Sequence, residues 1–167
     1  NGQDIPDMVL RIQKQVLGNF RLSGTILLRY LGEESRVVVP EGITRIGAEA
    51  FAGKEAIDRV ILPESLTEIG AEAFRDCLLL QSISFPEGLC RIGAGAFEHC
   101  VKLLRVNLPS GLFQVEERTF RHCLALHEVT LPKGLRKIGE GAFYGCISLK
   151  KLAFPERLEE IGELAFY

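Results

Sequence analysis

Apolar positions along the chain fall into columns that recur every 23 residues. Pro40, Pro63, Pro86, Pro109, Pro132 and Pro155 form one column, and Phe51, Phe74, Phe97, Phe120, Phe143 and Phe166 a second. A third holds Ile46, Ile69, Ile92, Val115, Ile138 and Ile161, and a fourth Ile43, Leu66, Leu89, Leu112, Leu135 and Leu158. Ahead of the prolines run Val60, Ile83, Val106, Val129 and Leu152, with Leu62, Phe85, Leu108, Leu131 and Phe154 two residues on. Several columns in phase at one period mark a repeat architecture, in which each unit is a single supersecondary element.

Within a unit, Leu80-x-x-Ile83-x-Phe85-Pro86 alternates as a short strand does, and the proline, with no N–H for a ladder, ends it. A Leu-x-x-Ile-Gly stretch follows, where Gly47, Gly70, Gly93, Gly139 and Gly162 permit either a positive φ or a close backbone approach. The next step, Ala71-Glu72-Ala73-Phe74 and its equivalents, predicts a single helical turn. Each unit has only one apolar side and must stack on its neighbours to bury it, as a solenoid does. In the fourth full unit Glu116 stands in place of the glycine and Thr119 in place of the small Ala, so residues 114–120 are expected to turn differently. Phe97→Ala should therefore cost about 3 to 5 kcal/mol, whereas Glu98, read as outward-facing, should be nearly neutral.

The unit 131–150, Leu-Pro-Lys-Gly-Leu-Arg-Lys-Ile-Gly-Glu-Gly-Ala-Phe-Tyr-Gly-Cys-Ile-Ser-Leu-Lys, resembles the 23-residue repeat of the BspA-like, Treponema-type leucine-rich repeat family. The resemblance covers residues 37–167, about six repeats. It implies a curved right-handed leucine-rich repeat solenoid, with a parallel sheet on the concave side and short strands or turns on the convex side. Residues 1–36 lie outside the repeat. Val9, Ile12 and Val16 fall at helical spacing, which predicts an amphipathic helix over 7–17. Phe20, Leu22, Ile26, Leu28 and Tyr30 alternate around Ser23-Gly24 as in a hairpin. Helix and hairpin together are the expected N-terminal cap. At the other end the strand expected over 149–154 would present an open edge, a template for self-association.

Composition narrows the function classes. The chain is 47% hydrophobic, enough for a sizeable core, and Lys+Arg 20 against Asp+Glu 22 gives a net charge of −2, without the basic excess of a nucleic-acid binder. No apolar run has the length of a membrane span, about 18 residues, and no signal-peptide pattern is found. The chain begins at Asn1, not Met, as a processed or excised piece would. Of five cysteines, Cys77, Cys100, Cys123 and Cys146 share one column, with Lys54 in the same place in the first unit. Stacked coils lie about 4.8 Å apart, yet equivalent side chains in a ladder point the same way, so buried, unpaired thiols are expected. Cys90 is out of column and is the candidate surface thiol.

Candidate chemistry is sparse. Asp76, His99 and His122 share a column on neighbouring coils and are the weak candidates for a metal site; the alternative is a turn position where Asp and His tolerate positive φ. Gly93-Ala94-Gly95-Ala96 lacks the Lys-Ser/Thr ending of a phosphate-binding loop. No nucleophile, base and acid depart together from the repeat, so no catalytic residue and no cofactor are assigned. The repeat does present a face. Between the inward strand residues lie Arg59, Ser82, Arg105, Glu128 and Lys151, then Ser84, Asn107 and Thr130, flanked by Leu104 and His127. These ten residues are the candidate binding face for a protein or glycan partner. The leading reading is a non-enzymatic interaction module, the second a structural spacer or self-assembling segment, and the last a metal protein or enzyme. Family resemblance implies a bacterial protein in a secreted or cell-surface location and a role in adhesion. The unpaired thiols argue instead for the reducing cytoplasm, and both locations stand.

Overall fold

The computed structural model describes residues 18–167. The predicted helix over 7–17 lies outside the described residues. A hairpin opens them: β1 (Phe20–Ser23) pairs antiparallel with β2 (Ile26–Tyr30), turning at Gly24 with φ 59°. Two series of short strands then alternate along the chain. The first holds β3 (Arg36–Val38), β5 (Arg59–Ile61), β7 (Ser82–Ser84), β9 (Arg105–Asn107) and β11 (Glu128–Thr130). The second holds the two-residue strands β4 (Arg45–Ile46), β6 (Glu68–Ile69), β8 (Arg91–Ile92), β10 (Gln114–Val115), β12 (Lys137–Ile138) and β13 (Glu160–Ile161). Pairing within each series is parallel and shifts by one repeat, Val60 against Ile83 and Ile46 against Ile69, so each turn of the solenoid is one 23-residue unit. The fold is a leucine-rich repeat solenoid.

The strand pattern stops one unit before the sequence suggests. No strand forms over 149–154, so Lys151 lies beyond the end of the first series rather than on it. The open strand edge expected there is absent, and the last strand of the chain, β13, belongs to the second series.

The expected helical turn is also absent. Ala-x-Ala-Phe and its equivalents form hydrogen-bonded turns, with Ala52 N–H donating to Glu49 O at 3.1 Å and Arg75 N–H to Glu72 O at 3.1 Å. Their second residue has positive φ, at Glu49, Glu72, Gly95, Arg118, Gly141 and Leu164, which a right-handed helix forbids. This alternation aims backbone groups along the stack, and a third ladder results. Phe51 N–H donates to Ala73 O at 2.7 Å, and Phe74, Phe97, Phe120 and Phe143 repeat the bond to the next coil at 2.8 Å.

Between the three ladders lies the core. Phe51, Phe74, Phe97, Phe120, Phe143 and Phe166 stack with centroids 4.8–5.5 Å apart and planes within 13° of parallel. Tyr30 continues the stack onto Phe51 at 5.3 Å, and Phe20 lies beyond it, so the hairpin covers the first coil. Lys54, which replaces the column cysteine there, reaches Gly32 O at 3.0 Å and sits over the Tyr30 ring. In the other coils each column thiol donates to the carbonyl of the preceding coil's Phe, as Cys77 does to Phe51 O at 3.2 Å. Cys100, Cys123 and Cys146 repeat the contact at 3.1 Å. All five cysteines are free, four buried and Cys90 exposed.

The column glycines serve close approach, not positive φ. A Cβ on Gly70 would lie 2.7 Å from Ala48 N, on Gly139 2.5 Å from Glu117 N, and on Gly162 2.5 Å from Glu140 N. Such contacts are too short for any real side chain, so these coils touch only because the Cβ is missing.

Candidate functional site

Alternation along the three-residue strands decides what faces outward. Val60, Ile83, Val106 and Val129 are buried, while Arg59, Ser82, Ser84, Arg105, Asn107, Glu128 and Thr130 are exposed, as the alternation requires. Parallel register sets Arg59 beside Ser82, Arg105 beside Glu128 and Asn107 beside Thr130. Leu104 and His127 precede their strands and are exposed at the margin of the face; the His127 ring lies 3.2 Å from Ala125 O. Lys151 is exposed but off the sheet.

Two residues at the head of the face were missing from the columns read in the sequence. Arg36 and Val38 head the two outward columns, in register with Arg59 and Ile61. Stepping the 23-residue period back once from Arg59 finds Arg36, and once from Ile61 finds Val38. Val38 and Ile61 are 54% and 46% exposed side by side, with Leu104 at 40% further along.

The two outward faces differ in how their charges are met. On the second series Arg45 and Arg91 both approach Glu68, at 3.5 and 3.9 Å, Arg136 meets Glu159 at 2.8 Å, and Lys137 meets Glu160 at 3.1 Å. Each pair joins successive coils, so that face neutralises itself. On the first series the pair Arg105–Glu128, at 3.9 Å, is the one such contact among the described residues. Arg36 and Arg59 stand next to each other with no acid in ion-pair reach among the described residues, beside exposed aliphatic side chains.

A groove of about 710 Å³ opens on this face along β7 and β9 and reaches Pro132, Lys133 and Gly134 beyond β11. Ser82, Ser84, Arg105 and Asn107 line it, over a floor of Ile83, Phe85 and Leu108. Four of the ten predicted face residues thus converge on one concavity.

Asp76, His99 and His122 do come together, with His99 Nδ1 3.0 Å from Asp76 Oδ1 and the two imidazoles stacked at 5.1 Å. Stacked rings turn their nitrogens alongside each other rather than toward a shared centre. No three metal-ligating side chains converge among the described residues. Asp76, His99 and His122 have φ of 59°, 61° and 58°, and Gly53 and Gly145 in the same column 72° and 74°, so the column is a left-handed turn position. Burial, then the neighbouring His99 and Arg121, lowers the pKa of His122. Next to it Glu98, expected outside, is buried at 7% exposure between Arg118 and Arg121, 3.8 and 3.9 Å away. Arg121 lies over Tyr144 at 5.1 Å. Sequence alternation misplaced Glu98 because the positive φ two residues before Phe97 changes which side chains the turn points inward.

The column thiols offer no nucleophile. Burial pushes Cys77 and Cys146 up to about 12, and Cys100 and Cys123 well above the ordinary thiol value. The thiolate is the reactive form.

Residues 44–167 match the family model of the BspA type leucine-rich repeat region, in six copies. A leucine rich cell surface protein from Faecalibacterium prausnitzii A2-165 is 27% identical, with a TM-score of 0.66 over 88% of this chain and 49% of its own. The T. pallidum leucine-rich repeat protein is 26% identical, with a TM-score of 0.50 over 80% of this chain and 89% of its own. A leucine-rich repeat protein from Eubacterium ventriosum shares the fold at 23% identity and a TM-score of 0.66, over 88% of this chain and 46% of its own. The chain spans about half the length of the F. prausnitzii and E. ventriosum proteins. No curated protein matches it.

Proposed function

The chain belongs to the BspA-type leucine-rich repeat family, whose members are generally interaction or surface modules, and we propose that it is a non-enzymatic module binding a protein or glycan partner. The binding surface in this reading is the outward face of β3, β5, β7, β9 and β11. One observation carries it: among the described residues this face leaves Arg36 and Arg59 without an acid in ion-pair reach, beside exposed Val38 and Ile61, while the other sheet face pairs its charges from coil to coil. Exposed aliphatic groups next to unpaired arginines are what an interface core and its anchors are made of. A surface location fits the F. prausnitzii protein's description as a cell surface protein, and a part in adhesion would follow from binding there. Among the described residues no helix is long and apolar enough to cross a membrane.

The test is a screen of the purified chain against immobilised matrix proteins and glycans, beside an Arg36→Glu, Arg59→Glu double variant with an unchanged circular dichroism spectrum. Binding lost in the variant is the expected result. Equal binding by both would move the surface off this face, and binding by neither would remove the interaction reading for this stretch of chain.

A further inference from the structure

One coil breaks the pattern of contacts, and the break lies on the proposed face. At each column glycine the N–H donates to a carbonyl of the preceding coil: Gly47 to Leu27 and Gly70 to Ile46 at 2.8 Å, Gly139 to Val115 and Gly162 to Ile138 at 2.7 Å. Glu116 occupies that position in its coil and makes no such bond to Ile92 among the described residues. The reason is steric. A Cβ at this position collides with the backbone of the coil before it, as those of Gly70 and Gly139 would, so the coil carrying Glu116 must stand off.

The consequences run through both sheets. β8 and β10 are not hydrogen-bonded neighbours, nor are β7 and β9, so each strand series is split at the same junction. Phe113 N–H lacks the bond to the preceding coil that Thr67, Cys90, Arg136 and Glu159 make. The turn ladder is intact there, with Gly95, Phe97 and His99 donating to Glu117, Thr119 and Arg121 at 2.8–3.0 Å, and ahead of β7 and β9 a single bond remains, Leu104 N–H to Gln81 O at 3.2 Å. Residues 114–120, expected to turn differently, keep the turn of the other coils, with φ 55° at Arg118 and Arg121 N–H donating to Arg118 O at 3.1 Å, and Thr119 adds a hydroxyl bond to Glu116 O at 2.8 Å. A groove flanks the junction on each sheet face, the 710 Å³ groove on the first series and one of about 400 Å³, beside Cys90 and Phe113, on the second.

We propose that the Cβ of Glu116 opens a seam in the solenoid and that the groove this creates between β7 and β9 docks an extended acidic segment of a partner protein. The groove's lining fits that ligand. Ser82, Ser84 and Asn107 each donate and accept hydrogen bonds, as peptide groups require. The facing edges of β7 and β9 add backbone groups that no strand pairs across the seam. Arg105 and Lys133 supply positive charge against Glu87, the one acid of the lining, and among the described residues Arg105 is held only by the exposed, 3.9 Å contact to Glu128, so a bidentate carboxylate displaces it readily. A sugar finds no open ring to stack on here: Phe85 is half-buried, edge-on to Phe97 at 5.7 Å. This inference rests on the face described above and assigns its ligand and its centre.

The probe is a labelled, end-blocked Glu-Val-Glu-Val-Glu peptide, with a Gln-Val-Gln-Val-Gln peptide and a neutral oligosaccharide as counterparts, read by fluorescence anisotropy. Hydrogen exchange first establishes whether Glu116→Gly closes the seam, by new protection of the amides at 113 and 116. The acidic peptide should bind the unmodified chain and Glu116→Ala equally, since Ala keeps the Cβ, and lose roughly tenfold or more in affinity on Glu116→Gly and on Arg105→Ser, the scale of one charge-assisted contact. The Gln peptide should bind as weakly as those variants. No gain of protection in Glu116→Gly would overturn the steric origin of the seam. Absence of acidic-peptide binding at millimolar concentration, or preference for the oligosaccharide, would overturn the ligand. Acidic-peptide binding that survives Glu116→Gly but is lost in Arg36→Glu, Arg59→Glu would overturn the seam and leave the face standing. Binding indifferent to every variant would overturn both.

Discussion

Phe97 is enclosed by ring on ring, 5.2 Å from Phe74 and 5.5 Å from Phe120, with Phe85 edge-on at its side. Replacing it with Ala removes a fully buried ring from the centre of the stack. A loss of about 3 to 5 kcal/mol in denaturant unfolding is expected. Glu98→Ala is no longer a neutral comparison, because its carboxylate sits buried between Arg118 and Arg121. It should cost about 1 to 3 kcal/mol, the scale of a buried polar group losing its partner, while Lys102→Ala at an exposed position stays within about 0.5 kcal/mol. Equal losses for Lys102 and Glu98 would mean that the carboxylate is solvated. The imidazole of His122 sets a pH dependence at the same scale. Its pKa is lowered in the fold by burial first, then by His99 and Arg121, with Glu98 opposing. Upon acidification the unfolded chain therefore takes up the proton before the folded one. Stability from this group is full above the ordinary value near 6.5 and is lost as pH falls below it toward the folded value. The melting temperature should drop across that window, and His122→Asn, which tolerates the same positive φ, should flatten the drop.

At the scale of the element, the ladder between two coils depends on an atom that is absent. Gly139 lets β12 reach β10, and its N–H bonds Val115 O at 2.7 Å, only because no Cβ stands 2.5 Å from Glu117 N. Gly139→Ala should reproduce at the next junction what Glu116 does at its own. The expected result is a loss of about 1 to 3 kcal/mol, in the range of overpacking, with faster hydrogen exchange at Arg136 and Gly139. Unchanged exchange at those amides would show that the coils accommodate a methyl group without parting. The comparison also explains why the seam is tolerable: Thr119 and the turn ladder hold the fourth coil where the strands do not.

For the whole molecule, stability of a solenoid is a sum of unit terms and nearest-neighbour interfaces. The junction between β7–β8 and β9–β10 has one full ladder and the single Leu104–Gln81 bond where its neighbours have three ladders, so it is the weakest interface along the described stack. Opening should follow that boundary. Native-state hydrogen exchange in sub-denaturing urea is expected to divide the amides into two groups, before and after the seam, with different opening free energies. Glu116→Gly should merge them into one, and a single group in the unmodified chain would show that the turn ladder alone couples the halves.

Much of this was legible in the residues. The 23-residue period located the Phe column, the buried thiols, the first strand series and the outward face, because a repeated apolar column has one way to be buried when units stack; the second series was foreshadowed only as the short strands or turns that the family resemblance implies. The same period also held Arg36 and Val38, one step before the first candidate taken. What the period did not hold was how each coil meets the next. Helical propensity in Ala-x-Ala-Phe gave way to a third ladder, since positive φ at Glu49 and its equivalents lets every coil bond its neighbour. That turn carried Glu98 inward and Asp76, His99 and His122 into a stacked column. The strand expected around Lys151 needs pairing that alternation alone does not supply. Glu116 shows the division most plainly. The sequence alone determined that this position departs from glycine; only the tertiary structure, by placing the preceding coil's backbone where a Cβ would stand, decided that the departure parts both sheets and opens a groove on the face.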